Sequence, residues 1–408
     1  MSRKVLLHVG TPKTGTSYFQ DVLFRNREVL AAAGIAYPAG RHDGHFLAAL
    51  DLMQLPWGGL QSDAIGAWDD LARQVREHED TAIVSHEILA TASRAQIGRA
   101  LESLGHSGGN GDGTEVHLVL SVRDLVRQIP AEWQENVKHR AQLSYGAFLD
   151  QIRDPERATR IGAWFWGVQE IPEILDRWAQ ELPPQQVHLV TVPPPGGAPE
   201  LLWKRFSQAF GLDGIDLDLE GERHNPSLGV PETTLLRRIN RKANAELAPA
   251  DYRPLVRELL AHQTLSRRTS SARLALPPEL HPWVQELSAS WIAEVEARRY
   301  DVIGDLGDLV GAPPVAEYAD PDRPRERQVA AAAVDAITAL LLDNARLRRE
   351  EARLQTELAD VHGALERAHA TPSYRVRRAL VLRLENSGVG RALLRVYRRA
   401  RGRSSRSA

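Results

Sequence analysis

Near its start the chain reads K-V-L-L-H-V-G-T-P-K-T-G-T-S-Y-F-Q, from Lys4 to Gln20, and this stretch limits the possible folds more than any other. Lys4–Val9 is a short apolar run with β-branched residues, which predicts a buried strand. Gly10, Pro12 and Gly15 punctuate it. From Thr16 to Ala33 the apolar residues Phe19, Val22, Leu23, Val29 and Leu30 fall near helical spacing. Strand, tight loop and helix in this order aim backbone N–H groups and a helix N-terminus at one point, which favours an anion. The glycines are spaced as in G-x-x-x-x-G-K-[ST], the loop that holds nucleoside triphosphates. In that loop a lysine follows the second glycine. Here Thr16 follows it, and the lysine stands three residues earlier, at Lys13.

Four more segments extend the pattern. Gly34–Tyr37, Thr81–Ser85, Glu115–Val122 and Gln186–Val192 read as strands, with helical patterns between them such as Ile65–Glu79 and Ile161–Glu181. Strands alternating with helices predict an α/β fold with a P-loop-like parallel sheet flanked by helices. Ligands then sit beyond the carboxyl ends of the strands.

The T-P-K-T-G-T-S sequence from Thr11 to Ser17 resembles the 5′-phosphosulfate loop of sulfotransferases that use 3′-phosphoadenosine 5′-phosphosulfate (PAPS). The resemblance implies that Thr11, Pro12, Lys13, Thr14, Gly15, Thr16 and Ser17 bind the cofactor, with Lys13 stabilising the leaving phosphate. It also implies a 3′-phosphate site at Arg123, at the end of the strongest strand. Such enzymes usually carry a serine eight residues after this arginine. That position is Ala131 here, which leaves Arg127 or Gln128 to substitute. Arg223, Asn225 and Ser227, in the polar stretch Gly221–Gly229, match loosely a late basic loop over the nucleotide. A carbohydrate or glycolipid hydroxyl is the acceptor that the resemblance implies.

Sulfuryl transfer to a hydroxyl is helped by a base. The candidates are His45, in R-H-D-G-H-F, then Glu87 and His86, in V-S-H-E-I-L after the third strand. His42 and His45 lack a clear third ligand, so no metal site is expected. Two other function classes stay open: a nucleotide-dependent kinase with an atypical phosphate loop, and a non-catalytic polyanion-binding scaffold.

The chain has 408 residues and no cysteine, which excludes disulfides and thiolate chemistry. The expected organisation is an α/β domain over 1–312, a coiled coil or long helix over 325–370, and a basic amphipathic tail over 371–408. Leu340, Leu347, Leu354 and Val361 recur every seven residues, with Ile337, Asn344, Glu351, Leu358 and Leu365 at the companion positions. That heptad pattern predicts a homodimer through a coiled coil, against a single amphipathic helix packed on the domain. The arginine-rich tail interleaves Val, Leu and Tyr, which fits an anionic membrane surface, another polyanion or a solvated arm. No nucleic-acid-binding fold is legible. No apolar run approaches the roughly 18 residues of a membrane span. The expected location is the cytoplasm, peripheral to the inner face of the membrane where the tail engages it.

Overall fold

The computed structural model describes residues 3–56, 59–107, 113–180, 182–198, 200–220, 227–386 and 392. Six strands form one parallel sheet: β1 (Lys4–His8), β2 (Ile35–Ala36), β3 (Thr81–Ser85), β4 (Glu115–Val122), β5 (Val187–Thr191) and β6 (Asp301–Ile303), in the order β2-β3-β1-β4-β5-β6. Lys4 stands opposite both Thr81 and Glu115, so β1 is central. Its side chains alternate between two cores. Val5, Leu7 and Val9 join one, and Leu6 joins the other with Phe19, Phe206 and Phe210. Helices cover both faces, which is why these strands are apolar throughout. Each fully buried Val, Leu or Phe contributes about 1.5–3 kcal/mol.

The chain runs outward from β1 to the edge strand β2, returns through β3, and then crosses to β4 on the far side of β1. The switch in direction falls between β1 and β4, where a crevice opens beyond the strand ends. The loop after β1 fills it.

Several elements differ from expectation. The first helix is two: α1 (Thr16–Arg25) ends at Asn26, and a second runs Arg27–Ala32. The helix expected over Ile161–Glu181 divides at Glu170, before Pro172, into Arg160–Gln169 and Ile171–Trp178. Asp301–Ile303, expected to lie at the end of the domain, is an edge strand paired with β5.

The chain divides into two compact units, Met1–Ala336 and Ile337–Ala408. The first thus runs past 312. Asp322 accepts hydrogen bonds from the Tyr145 and Gly146 N–H groups at 3.1 and 2.8 Å, and Val329, Ala332 and Ala336 are buried. Among the described residues one helix, Glu326–Ala370, is long and apolar enough by composition to cross a bilayer. Asp335, Thr338 and Asp343 interrupt its apolar residues, so no single apolar run in the sequence marks it. Its first turns bury Val329, Ala332 and Ala336 in protein, and 17% of its most apolar window is buried.

In the second unit the heptad residues Ile337, Leu340, Leu347, Leu354, Leu358, Val361 and Leu365 are all exposed. Pro372 opens a further helix, Pro372–Glu385. Most of the arginine-rich tail lies outside the described residues, and the membrane-surface expectation with it.

Candidate active site

The loop between β1 and α1 is fastened to β4. The Thr11 N–H donates to Ser121 O and the Ser121 N–H to Gly10 O, each at 2.5 Å. Gly10 has φ +115°, and a Cβ there would meet Glu87 O at 2.9 Å, so only glycine allows the loop to lie against the end of β3. Gly15, at φ +91°, is the N-cap of α1. Gly15 has no side chain to cap that terminus, so the first N–H groups of α1 suit an anion.

Below the loop lies a buried polar chain. His8 Nδ1 is 2.8 Å from Ser85 Oγ, and His8 Nε2 is 2.9 Å from Ser121 Oγ. Ser121 Oγ donates to Gly10 O at 3.0 Å and lies 2.6 Å from Thr14 Oγ1, which donates to Thr11 O. Burial pushes the His8 imidazole down to about 4, so the ring stays neutral. Fully satisfied, this chain ties the ends of β1, β3 and β4 to the loop and sets its shape. The resemblance implies a Thr14 hydroxyl turned to the cofactor; it turns inward instead. Thr11 and Thr16 are also buried, Pro12 accepts a hydrogen bond from Gln128 Nε2 at 2.7 Å, and Ser17 is exposed at the start of α1.

Lys13 sits in the left-handed region, φ +64°, at the middle of the turn. Its Nζ lies 2.5 Å from Glu135 Oε2, on the helix Leu125–Lys138 that follows β4. Glu135 also faces His139 Nε2 at 3.1 Å, Arg257 at 3.7 Å and Lys138 Nζ at 4.0 Å. Burial pushes this carboxyl up, but the His139 hydrogen bond and the charges of Lys13 and Lys138 outweigh that and hold it well below the usual carboxylate range.

Arg123 is where the sequence placed it, just past β4. Its Nη2 donates to Arg127 O at 2.9 Å, and its Nε is buried with no hydrogen-bond partner among the described residues. Burial and the charge of Arg127 lower it to about 10. An orphaned donor on a buried guanidinium fits a phosphate. Arg127 does not join it. Arg127 pairs with Asp124, and its Nη1 and Nη2 donate to Pro193 O and Val192 O at 2.9 and 3.3 Å. It fastens the loop after β5 and is a structural residue. Gln128 likewise spends its amide on Pro12. Arg223 and Asn225 lie outside the described residues. Ser227 is exposed just before the helix Val230–Ala243.

Of the expected bases, His45 is corrected. It is 4% exposed, its Nδ1 accepts from the Ser85 N–H at 3.0 Å, and its Nε2 donates to Pro38 O at 3.2 Å. With both nitrogens occupied and burial lowering it to about 3, it braces β3 and takes no proton near neutrality. His42 lies on the surface, 3.5 Å from Asp21. His86 is partly exposed, stacks on Phe46, and its Nδ1 accepts from the Ile88 N–H. Glu87 is partly exposed and abuts Gly10. Its Oε2 accepts from Gln20 Nε2 at 3.2 Å. Burial raises it, but the electrostatic influence of His86 and hydrogen bonds from its own backbone and Gln20 outweigh this, so Glu87 stays ionised.

Sequence reasoning missed Glu132. It is 5% exposed on the helix after β4, and its Oε1 accepts from Gln169 Nε2 at 3.1 Å. Burial raises it to about 7, with Lys13 and Arg123 pulling it down and Glu135 pushing it up. A glutamate next to a tryptophan gives no sequence signal of such an environment.

No protein-family model matches the chain, and no curated protein matches it. Among solved structures it is similar to a sulfotransferase from Alicyclobacillus acidocaldarius, at 13% identity and a TM-score of 0.39, over 74% of this chain and 97% of that one. So remote a likeness says nothing of the reaction here; the chain's own residues have to carry it.

Proposed function

We propose that the chain is a PAPS-dependent sulfotransferase acting on a hydroxyl of a carbohydrate or glycolipid. The observation that carries this reading is the placement of Lys13. It stands at the centre of a loop with an uncapped helix N-terminus beneath it, and the part-orphaned Arg123 lies on the neighbouring strand end. The loop N–H groups and Lys13 suit the 5′ end of the nucleotide, and Arg123 suits the 3′-phosphate. A kinase reading would want its lysine where Thr16 stands.

When bound, PAPS would supply the sulfuryl group and a bisphosphate leaving group. Lys13 neutralises charge that grows on the leaving oxygen. Glu87, fixed by Gln20 and ionised, accepts the proton of the attacking hydroxyl. Lys13→Ala should therefore lower kcat by about 100-fold or more while weakening adenosine 3′,5′-bisphosphate less than tenfold. A loss of bisphosphate affinity with kcat unchanged would make Lys13 a ground-state anchor only.

The exposed heptad face takes a second copy of the chain. Its flanking positions carry Asp343, Glu350 and Glu357 on one side and Arg348, Gln355 and His362 on the other. In a parallel, in-register pair Asp343 meets Arg348 and Glu357 meets His362; an antiparallel pair sets acid against acid. A cysteine at Leu347 should cross-link to its own copy under mild oxidation. A full-length protein that stays monomeric at micromolar concentration contradicts the pairing.

A further inference from the structure

Two histidines meet at the end of the sheet away from the phosphate loop. Glu115 and His117 are two residues apart on β4 and share one of its faces. His188, on β5, stands opposite Asp301, on β6. Together the four side chains form one line across three strands. Glu115 Oε1 lies 2.7 Å from His117 Nε2, His117 Nδ1 lies 2.7 Å from His188 Nε2, and His188 Nδ1 lies 2.7 Å from Asp301 Oδ2. The ring planes agree within 4° and the centroids are 5.1 Å apart, so the rings meet edge to edge through those two nitrogens.

The line can be read by counting protons. A carboxylate only accepts, so each outer contact needs an N–H from a ring. The middle contact, between two nitrogens, needs one more. That makes three N–H protons, whereas two neutral imidazoles carry two. With two, one contact sets lone pair against lone pair. With four, the middle contact sets N–H against N–H. Both side chains are mostly buried, where an unmade hydrogen bond is costly.

The surroundings carry little further charge. Burial lowers His117, the hydrogen bond to Glu115 opposes this, and the charges of Lys4 and His188 add to it. Lys4 stands opposite Glu115 on β1. Gln186 donates to Glu115 at 3.4 Å. Gln208, on the helix Leu201–Phe210, lines a cavity of about 310 Å³ with Lys4, Thr81, His188 and Asp301.

We propose that His117 and His188 together hold one proton beyond their two neutral rings near neutral pH, and that this shared proton ties the edge strand β6 to β5 and β4. The tie falls at the first residue of a three-residue strand. The pair titrates as a unit. Unfolded, each histidine takes its proton independently, near pH 6.5. Below that value the unfolded chain binds more protons than the pair, so the stabilisation grows as pH rises. Above it the folded pair binds more, so the stabilisation falls as pH rises. The contribution therefore peaks near pH 6.5. None of this depends on the reaction at the other end of the sheet.

Denaturant unfolding of the full chain, followed by tryptophan fluorescence, reads the effect, because all nine tryptophans fall within the first unit. The reference is the double variant His117→Asn, His188→Asn. The parent's advantage in folding equilibrium constant should be greatest near pH 6.5, and about threefold smaller both near pH 5 and near pH 8.5. An advantage that rises to about pH 6.5 and then stays level means two neutral rings and overturns the proposal. One independent of pH overturns it too. Nitrogen NMR of the histidine-labelled parent decides the matter even where the double variant fails to fold. Near pH 7.5 a nitrogen–nitrogen coupling through the hydrogen bond should join two imidazoles, one of them protonated on both nitrogens. Two singly protonated rings, or no coupling, overturn the shared proton.

Discussion

Lys13 Nζ and Glu135 Oε2 lie 2.5 Å apart, joining the loop after β1 to the helix after β4. The pair is mostly buried, and it neutralises the lysine that the proposed function sets against the cofactor's phosphosulfate. An anion that takes Lys13 has to displace Glu135 first.

Removing the competing carboxylate charge should therefore help the nucleotide. Glu135→Gln should tighten adenosine 3′,5′-bisphosphate by about 1 kcal/mol, roughly fivefold, in calorimetry. The same change leaves Lys138 and Arg257 less balanced, so the variant should also melt at a lower temperature. Unchanged or weaker nucleotide binding in a folded variant would mean that Lys13 is not the group contacted.

Glu132 gives the site a pH dependence of known sign. Burial raises its pKa to about 7. Below that value it is neutral; above it a negative charge appears among Lys13 and Arg123 and opposes an anionic ligand. The bisphosphate's own second ionisation, near pH 6, acts in the other direction in any variant. The ratio of Glu132→Gln to parent affinity isolates the side chain. It should rise about twofold from about pH 6 to 7.5, the part of a roughly 1 kcal/mol opposition that a group titrating near 7 develops over that span. A ratio independent of pH contradicts the assignment.

The sheet was legible because its strands are buried on both faces and read as apolar runs. β6 was not, since Asp301–Ile303 is three residues long and owes its pairing to β5. The loop was legible from glycine spacing and the position of Lys13. What escaped was side-chain direction. Arg127 sits one turn after Arg123, a spacing that puts both on one helix face, yet Asp124 and two carbonyls after β5 draw it away. His45 lies in a polar stretch that looks exposed, but it is in the first turn of the helix Gly44–Met53 and folds under β3. Glu132 shows nothing in sequence, because its raised pKa comes from burial beneath elements that only the fold brings together.

The binding of adenosine 3′,5′-bisphosphate in the absence of magnesium tests the sulfotransferase reading most directly. Isothermal calorimetry with a chelator present should show one site per chain. Arg123→Ala should weaken that site by about 1.5–3 kcal/mol, as loss of a charge-assisted hydrogen bond does. Binding of ATP that needs magnesium, with no binding of the bisphosphate, would contradict it.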